Sequence, residues 1–167
     1  MEVSFRKAIP SDAARIKAFI SQMSQDSDTV YFDPEIKALS PKRFAEQLAV
    51  IYDSPQHLFL IATTTDCIGL ISIQALDTQR GEVGIAVAKT FQRMGIGSIL
   101  LEEALIWFEE ESELDQLCLS VVSNNTVAIN LYQNFGFQFD DTIQHYLPEV
   151  PYATLSFMSY KKTRPSA

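Results

Sequence analysis

The sequence has few cysteines, few basic residues and no long apolar run, and each shortage argues against a class of protein. Its two cysteines, Cys67 and Cys118, form no C-x-x-C pair and no disulfide framework, which fits a reducing, cytoplasmic location. Lys and Arg total 13 against 21 Asp and Glu, and this net charge of −8 argues against a nucleic-acid partner. No stretch approaches the length of a membrane span, and residues 1–10 lack the apolar core of a signal peptide.

The hydrophobic pattern predicts one α/β domain over residues 1–167. Hydrophobic residues make up 47% of the chain, enough for a sizeable core, and no repeat or linker divides it. Strands are predicted at 3–8, 57–64, 67–74, 81–88, 116–122, 137–141 and 152–162. Helices are predicted at 14–23, 41–51, 95–111 and 125–135, with a polar loop at 24–34. The order βααβββαβαββ indicates a mixed sheet whose second to fourth strands form an antiparallel meander.

Two glycines at the predicted start of a helix, in "FQRMGIGSIL" (91–100), indicate either a phosphate-binding turn or a plain tight turn. A helix N-terminus presents unpaired amides to an anion, and glycine lets the anion approach and lets the amides curl around it. The known nucleotide motifs do not fit. A Walker loop needs Lys after Gly97, where Ser98 stands, and a Rossmann fingerprint needs a third glycine where Leu100 stands.

Two motifs together give the chain a resemblance to a known family. "QRMGIG" (92–97) matches the Q/R-x-x-G-x-G/A motif of the GNAT N-acetyltransferase superfamily. "NNTVAINLYQNFGF" (124–137) matches its second motif, N-x-x-A-x-x-x-Y-x-x-x-G-F, through Asn125, Ala128, Tyr132, Gly136 and Phe137. The resemblance covers nearly the whole chain and implies a mixed α/β sheet whose central strands splay apart to admit acetyl-CoA.

The resemblance also implies which residues hold acetyl-CoA as the acetyl donor. They lie on the strand before the turn, in the turn and in the second motif: Ile85, Ala86, Val87, Gln92, Arg93, Met94, Gly95, Ile96, Gly97, Ser98, Asn125, Ala128 and Tyr132. Gln92 and Arg93 are expected to flank the pyrophosphate, where Arg93 would add a charged contact. A plain exposed turn is the alternative for both.

The implied reaction is transfer of an acetyl group from the thioester to a primary amine, directly and within a ternary complex. Tyr132 corresponds to the general acid that protonates the departing thiolate, although its helical spacing also suits a core aromatic. A backbone amide between Ile85 and Val87 would stabilise the oxyanion, on a strand where a bulge frees polar groups. Glu82 is a candidate base, with a solvated strand-end carboxylate as the alternative.

The sequence does not name the amine acceptor. A small molecule, a polyamine, a protein N-terminus or a lysine remains open, and the acidic composition, which also serves solubility, only slightly favours small cationic amines. Tyr31, Phe32 and Tyr146 are candidates to line its pocket, with local packing within their loops as the alternative. His57 and His145 are more typical of surface histidines than of catalysts. No cluster of residues has metal-ligand spacing. A homodimer is possible, and a CoA-binding regulatory module without turnover is the alternative function; a nucleotide-binding domain is disfavoured.

Overall fold

A single seven-stranded sheet is the centre of the computed structural model, which describes residues 2–26, 34–150 and 153–163. In chain order the strands are β1 Ser4–Lys7, β2 Leu58–Thr63, β3 Cys67–Ala75, β4 Arg80–Val87, β5 Gln116–Val122, β6 Gln138–Phe139 and β7 Leu155–Lys161. They lie side by side as β1-β2-β3-β4-β5-β7-β6. Among the described strands, β4 and β5 are the one parallel pair of neighbours, so the predicted mixed sheet and the β2-β3-β4 meander are confirmed.

Five α-helices lie in the described part of the chain, one more than the sequence predicts. They are α1 Ala13–Asp26, α2 Pro34–Ala38, α3 Pro41–Tyr52, α4 Ile96–Glu110 and α5 Thr126–Asn134. The extra helix, α2, is a single turn, which is too short to show a periodic pattern. It is held by a distant contact, because the Lys17 ammonium on α1 donates to the carbonyls of Ile36 and Lys37. The predicted loop at 24–34 was therefore too long at both ends.

The central parallel pair separates partway along its length. The β4–β5 ladder joins only Arg80–Glu82 of β4 to Gln116–Cys118 of β5. Both strands then continue, to Val87 and to Val122, without pairing with each other. This gap between residues 83–87 and 119–122, called here the β4–β5 cleft, is the predicted splay of the central strands.

The two faces of the sheet bury separate cores. Helices α4 and α5 cover one face, where the largest cluster includes Leu100, Phe108, Leu117, Tyr132 and Phe137. On the other face, α1 and α3 pack against β2 and β3, and a 3₁₀ turn at Asp141–Tyr146 packs against β5 and β7. Within the described ranges, no helix has the length and apolar content that a membrane crossing requires.

Candidate active site

Six consecutive backbone amides in the glycine turn find no hydrogen-bond acceptor in the described part of the chain. Among the described residues, no group accepts from the N–H groups of residues 93–98, and the N-cap of α4 has no side-chain bond. The first amide that joins the helix is that of Ile99, which donates to the Gly95 carbonyl at 3.1 Å. Residues 92–95 are exposed, so the run opens to solvent. Such a run at a helix N-terminus is suited to an anion.

The two glycines of the turn serve different purposes. Gly95 is the N-cap of α4 with φ of +79°, a left-handed conformation that glycine adopts without strain. Gly97 is already helical, and a Cβ there would lie 3.6 Å from Leu131 and 3.9 Å from Ile85 and Val87, at ordinary contact distances. The protein's own packing therefore does not require glycine at 97, and the position lies where α4, α5 and β4 meet.

Unpaired backbone groups of β4 face the β4–β5 cleft. The Ala88 amide donates to Ile68 of the neighbouring β3, and the register is regular from there to Gly81. This alternation turns the amide of Ala86 toward β3 and the amides of Ile85 and Val87 toward the cleft. The bulge expected on this strand is absent from its ladder, so that expectation was wrong. The divergence from β5 frees these groups instead.

The opposite wall of the cleft carries a second set of unpaired groups, which sequence reasoning missed. On β5, the Ser123 amide donates to Thr154 and the Asp115 carbonyl accepts from Lys162, so odd-numbered residues face β7. Ser120 and Val122 therefore turn their amides toward the cleft. No residue type marks these positions, because which backbone groups stay free depends on strand pairing alone.

Gln92 and Arg93 lie at the entrance to the amide run, but only Arg93 points freely from it. The Gln92 side chain turns back, and its Nε2 donates to the Val87 carbonyl at 3.2 Å. Arg93 is exposed, makes no ion pair in the described part of the chain, and has φ of +70°. Met94 is 54% exposed, whereas Ile96 is buried in the core and Ser98 is half-buried.

Tyr132 on α5 combines burial with an unbonded hydroxyl. The residue is 6% exposed and its ring lies 5.7 Å from that of Phe137, so the predicted core packing is present. No described residue hydrogen-bonds its hydroxyl. Among the described residues, Arg80 Nε is the one fully buried side-chain nitrogen or oxygen atom without a hydrogen-bond partner. Because the Tyr132 hydroxyl also has no such partner, its oxygen is not fully buried and keeps some contact with solvent. Burial raises the pKa of Tyr132 far above its usual value, which keeps the phenol protonated.

Two other residues of the second motif, Asn125 and Ala128, have local roles in α5. The Asn125 side chain is the N-cap and accepts from the Ala128 amide at 3.2 Å, while its own amide donates to the Val122 carbonyl. Asn125 thus joins the start of α5 to the end of β5 beside the cleft. Ala128 is half-buried against the same core as Tyr132.

Glu82 lies on the sheet face opposite α4, at the last paired position before the cleft opens. Its strand neighbour Val83 packs toward α4, so the alternation of a strand places Glu82 on the other face. There it is half-buried and stands between Gln74 of β3 and Cys118 of β5 in register. The structure thus brings this carboxylate to the mouth of the cleft, on a face with polar neighbours that the sequence pattern did not reveal.

The remaining candidates are divided between that face and the surface. Tyr146 is half-buried under the Arg80 guanidinium, which lies 4.3 Å from its ring, and Arg80 shares the face of Glu82. His145 is exposed and stacks on Tyr146 at 4.1 Å. His57 accepts from the Ala75 amide through Nδ1, and burial lowers its pKa; both features favour the neutral imidazole. Tyr31 and Phe32 fall outside the described residues. Within the described residues, no group of three or more His, Cys, Asp or Glu side chains could hold a metal ion.

Comparisons with known proteins agree with this geometry. The model of the acetyltransferase (GNAT) family matches residues 20–137. Human N-alpha-acetyltransferase 30 is 30% identical over 125 residues, which cover 68% of this chain and 34% of that protein. A GNAT-family acetyltransferase from Streptococcus pneumoniae has a similar structure, with a TM-score of 0.83 and 27% identity over 96% of this chain and 99% of that one.

The relatives differ from this chain in length and in sequence. The match spans about a third of the length of the human protein and of a probable N-acetyltransferase, san, from Drosophila melanogaster, which is 33% identical over 60 residues, or 36% of this chain. YncA from Salmonella typhimurium, a putative acetyltransferase solved with acetyl-CoA, has a TM-score of 0.74 but 15% identity, over 100% of this chain and 98% of that one. At that identity the likeness shows a shared fold alone.

Proposed function

Because this chain belongs to the GNAT acetyltransferase family, we propose that it transfers the acetyl group of acetyl-CoA to a primary amine. The observation that carries the proposal is the run of six acceptor-free amides at 93–98, beside a cleft with unpaired backbone groups on both walls. A pyrophosphate fits the amides, since it offers acceptors and negative charge where the helix dipole is positive. Exposed Arg93 adds a positive charge at the start of this run.

The walls of the cleft suit the extended, amide-containing arm of CoA. The amides of Ile85 and Val87 on β4 and of Ser120 and Val122 on β5 face the cleft without a strand partner. The carbonyls of Ile85 and Ser120 add acceptors, whereas those of Val87 and Val122 already accept from Gln92 and Asn125. A ligand amide chain can bond to such an edge much as an added strand does. Asn125 fixes the end of β5 against α5, and Ala128 keeps α5 close without filling the cleft.

The residues around the cleft provide the proton transfers and charge stabilisation that acetyl transfer needs. Acetyl-CoA supplies an activated thioester. The amides of Ile85 and Val87 donate toward its carbonyl oxygen as negative charge develops there. Tyr132 holds its proton at Oη, because burial keeps its pKa high, and releases it to the departing sulfur. Glu82 holds the acceptor ammonium at the mouth of the cleft and takes its proton, directly or through water.

For the acceptor we propose a peptide N-terminal amine, which enters on the face of Glu82 and Tyr146. The human relative's name supports this choice, since that protein is an N-alpha-acetyltransferase. A cytoplasmic location is part of the proposal, because two buried free cysteines suit a reducing compartment.

A thermal-shift titration tests cofactor binding first. Acetyl-CoA at 100 times its Kd should stabilise the fold by about 2.7 kcal/mol, roughly 5–11 °C for a domain of this size. ATP and NAD, as matched nucleotides, should give no comparable shift. The absence of any shift with saturating acetyl-CoA would end the proposal.

A thiol-release assay then separates an enzyme from a regulatory module. Peptides with free N-termini should release CoA thiol, and the same peptides with blocked N-termini should not. Spermidine and a lysine-containing peptide with a blocked N-terminus report the other amine classes. Binding of acetyl-CoA without thiol release from any acceptor would favour the CoA-binding module.

A further inference from the structure

The side chain of Gln92 closes a small ring at the end of β4. The side-chain Nε2 of Gln92 donates to the Val87 carbonyl at 3.2 Å, and the backbone amide of Gln92 donates to the Lys89 carbonyl at 3.3 Å. The 3₁₀ turn Lys89–Phe91 lies between these contacts. Gln92 is therefore fixed both through its backbone and through its side chain, although it is exposed.

The ring ends immediately before the most strained residue of the turn. Arg93 has φ of +70° and is the sole non-glycine residue with positive φ in the described ranges. A side chain in that conformation costs about 1–2 kcal/mol, so an unrestrained turn would let Arg93 relax. Relaxation there would redirect the amides that follow it, up to the left-handed N-cap Gly95.

The carbonyl that Gln92 occupies is one of the cleft-facing groups of β4. The backbone amide and carbonyl of Val87 turn away from β3, and Val87 lies beyond the last residue that pairs with β5. Its carbonyl would otherwise lack a protein donor, so the contact satisfies an unpaired group while it orients the turn. One Nε2 proton is thus directed at the strand, away from the amide run.

We propose that Gln92 is a positioning residue, which holds Arg93 in its left-handed conformation so that the amides of 93–98 stay convergent for an anion. This inference rests on the proposed function, since the anion is the pyrophosphate of CoA. It assigns Gln92 a role other than the direct flanking contact expected from the sequence. Without the Gln92 side chain, the ligand must itself hold Arg93 in the strained conformation. The affinity for CoA then falls by the free-energy cost of that conformation.

A double-mutant cycle on CoA affinity, measured by calorimetry, tests the assignment. Gln92→Leu should weaken CoA binding by about 5- to 30-fold, because the free-energy cost of positive φ at Arg93 corresponds to that factor in an equilibrium constant. In an Arg93→Gly background, where positive φ carries no such cost, the same substitution should weaken binding by less than about twofold. Equal losses in the two backgrounds would mean that Gln92 contacts the ligand directly, and would overturn the proposal.

Two further measurements separate this role from general stability and from the proposed function. Gln47→Leu adds the same apolar side chain at an exposed helix position and should leave CoA affinity unchanged. Gln92→Leu should raise the KM for acetyl-CoA while kcat stays within about twofold, since the reacting groups are untouched. Normal affinity in Gln92→Leu overturns the positioning role alone, whereas a wild-type protein that binds no CoA overturns both proposals.

Discussion

Replacing Tyr132 by Phe should separate catalysis from stability. The substitution removes one hydroxyl, to which no described residue makes a hydrogen bond, and leaves the buried ring in place. We therefore expect the free energy of unfolding to change by less than about 0.5 kcal/mol, because no protein hydrogen bond is lost. Loss of the proposed general acid should lower kcat by about 10²–10⁴-fold.

Tyr160→Phe is the matched control, because Tyr160 has the opposite arrangement. Its hydroxyl donates to Glu109 Oε1 at 3.2 Å, and its ring packs against Phe137, which also packs against Tyr132. Removal of this hydroxyl should cost about 1 kcal/mol, or roughly 2–4 °C in Tm, and should leave kcat unchanged.

The assay is thiol release under saturating acetyl-CoA and acceptor, with urea unfolding measured on the same samples. CoA affinity of Tyr132→Phe should stay within about threefold, since the proposed role of the phenol concerns the leaving sulfur and not the phosphates of CoA. An unchanged kcat, with chemistry shown to limit the rate, would remove Tyr132 from the acid role. If Tyr132→Phe lost as much stability as Tyr160→Phe, the Tyr132 hydroxyl would have a hydrogen-bond partner in the folded protein.

Three other outcomes are expected. A Cβ at Gly95 meets no atom within 4 Å, so Gly95→Ala should cost about 1 kcal/mol of unfolding free energy through φ alone and weaken CoA binding; Gly95→Asn should cost less, because Asn tolerates that region. The Arg6 hydrogen bonds lower the pKa of Asp12, so their stabilisation is present above the ordinary carboxyl pKa and is lost as the pH falls through the lowered value. In urea titrations, Asp12→Ala should therefore lower the free energy of unfolding by about 1–3 kcal/mol at neutral pH. In acid, where the wild type has lost the same contribution, the two proteins should differ little. Burial raises the pKa of Cys67 and Cys118 to about 11, so a disulfide reagent should label neither thiol in the native protein at mildly alkaline pH and both in guanidinium chloride.

Local sequence signals predicted the elements that carry their own chemistry. Ser40 and Pro41 are residue types typical of a helix start, and they begin α3: the Ser40 hydroxyl accepts from the Arg43 amide. The glycine at 95 predicts a backbone that needs positive φ, which is found at the start of α4. Short elements were less predictable, as α2 shows, because one helical turn depends on distant contacts such as those of Lys17.

The geometry of the site depended on pairing between strands that are far apart in sequence. The expectation of a bulge on β4 placed the free amides in the right region for the wrong reason, since the ladder to β3 is regular and the freedom comes from divergence from β5. The side chain of Gln92 likewise turns to Val87, five residues earlier, because the 3₁₀ turn brings the chain back past the strand end.

By itself, the sequence determined the family, the order of the long elements and the identity of the residues that can donate, accept or carry charge, because motifs and periodicity are local properties of the chain. Only the tertiary structure decided which backbone groups stay unpaired, that the Tyr132 phenol is buried yet unbonded, and on which face Glu82 stands. Those outcomes follow from the separation of β4 and β5 after three paired residues, which no local pattern encodes, because it arises from how two layers of helices and turns pack on the sheet.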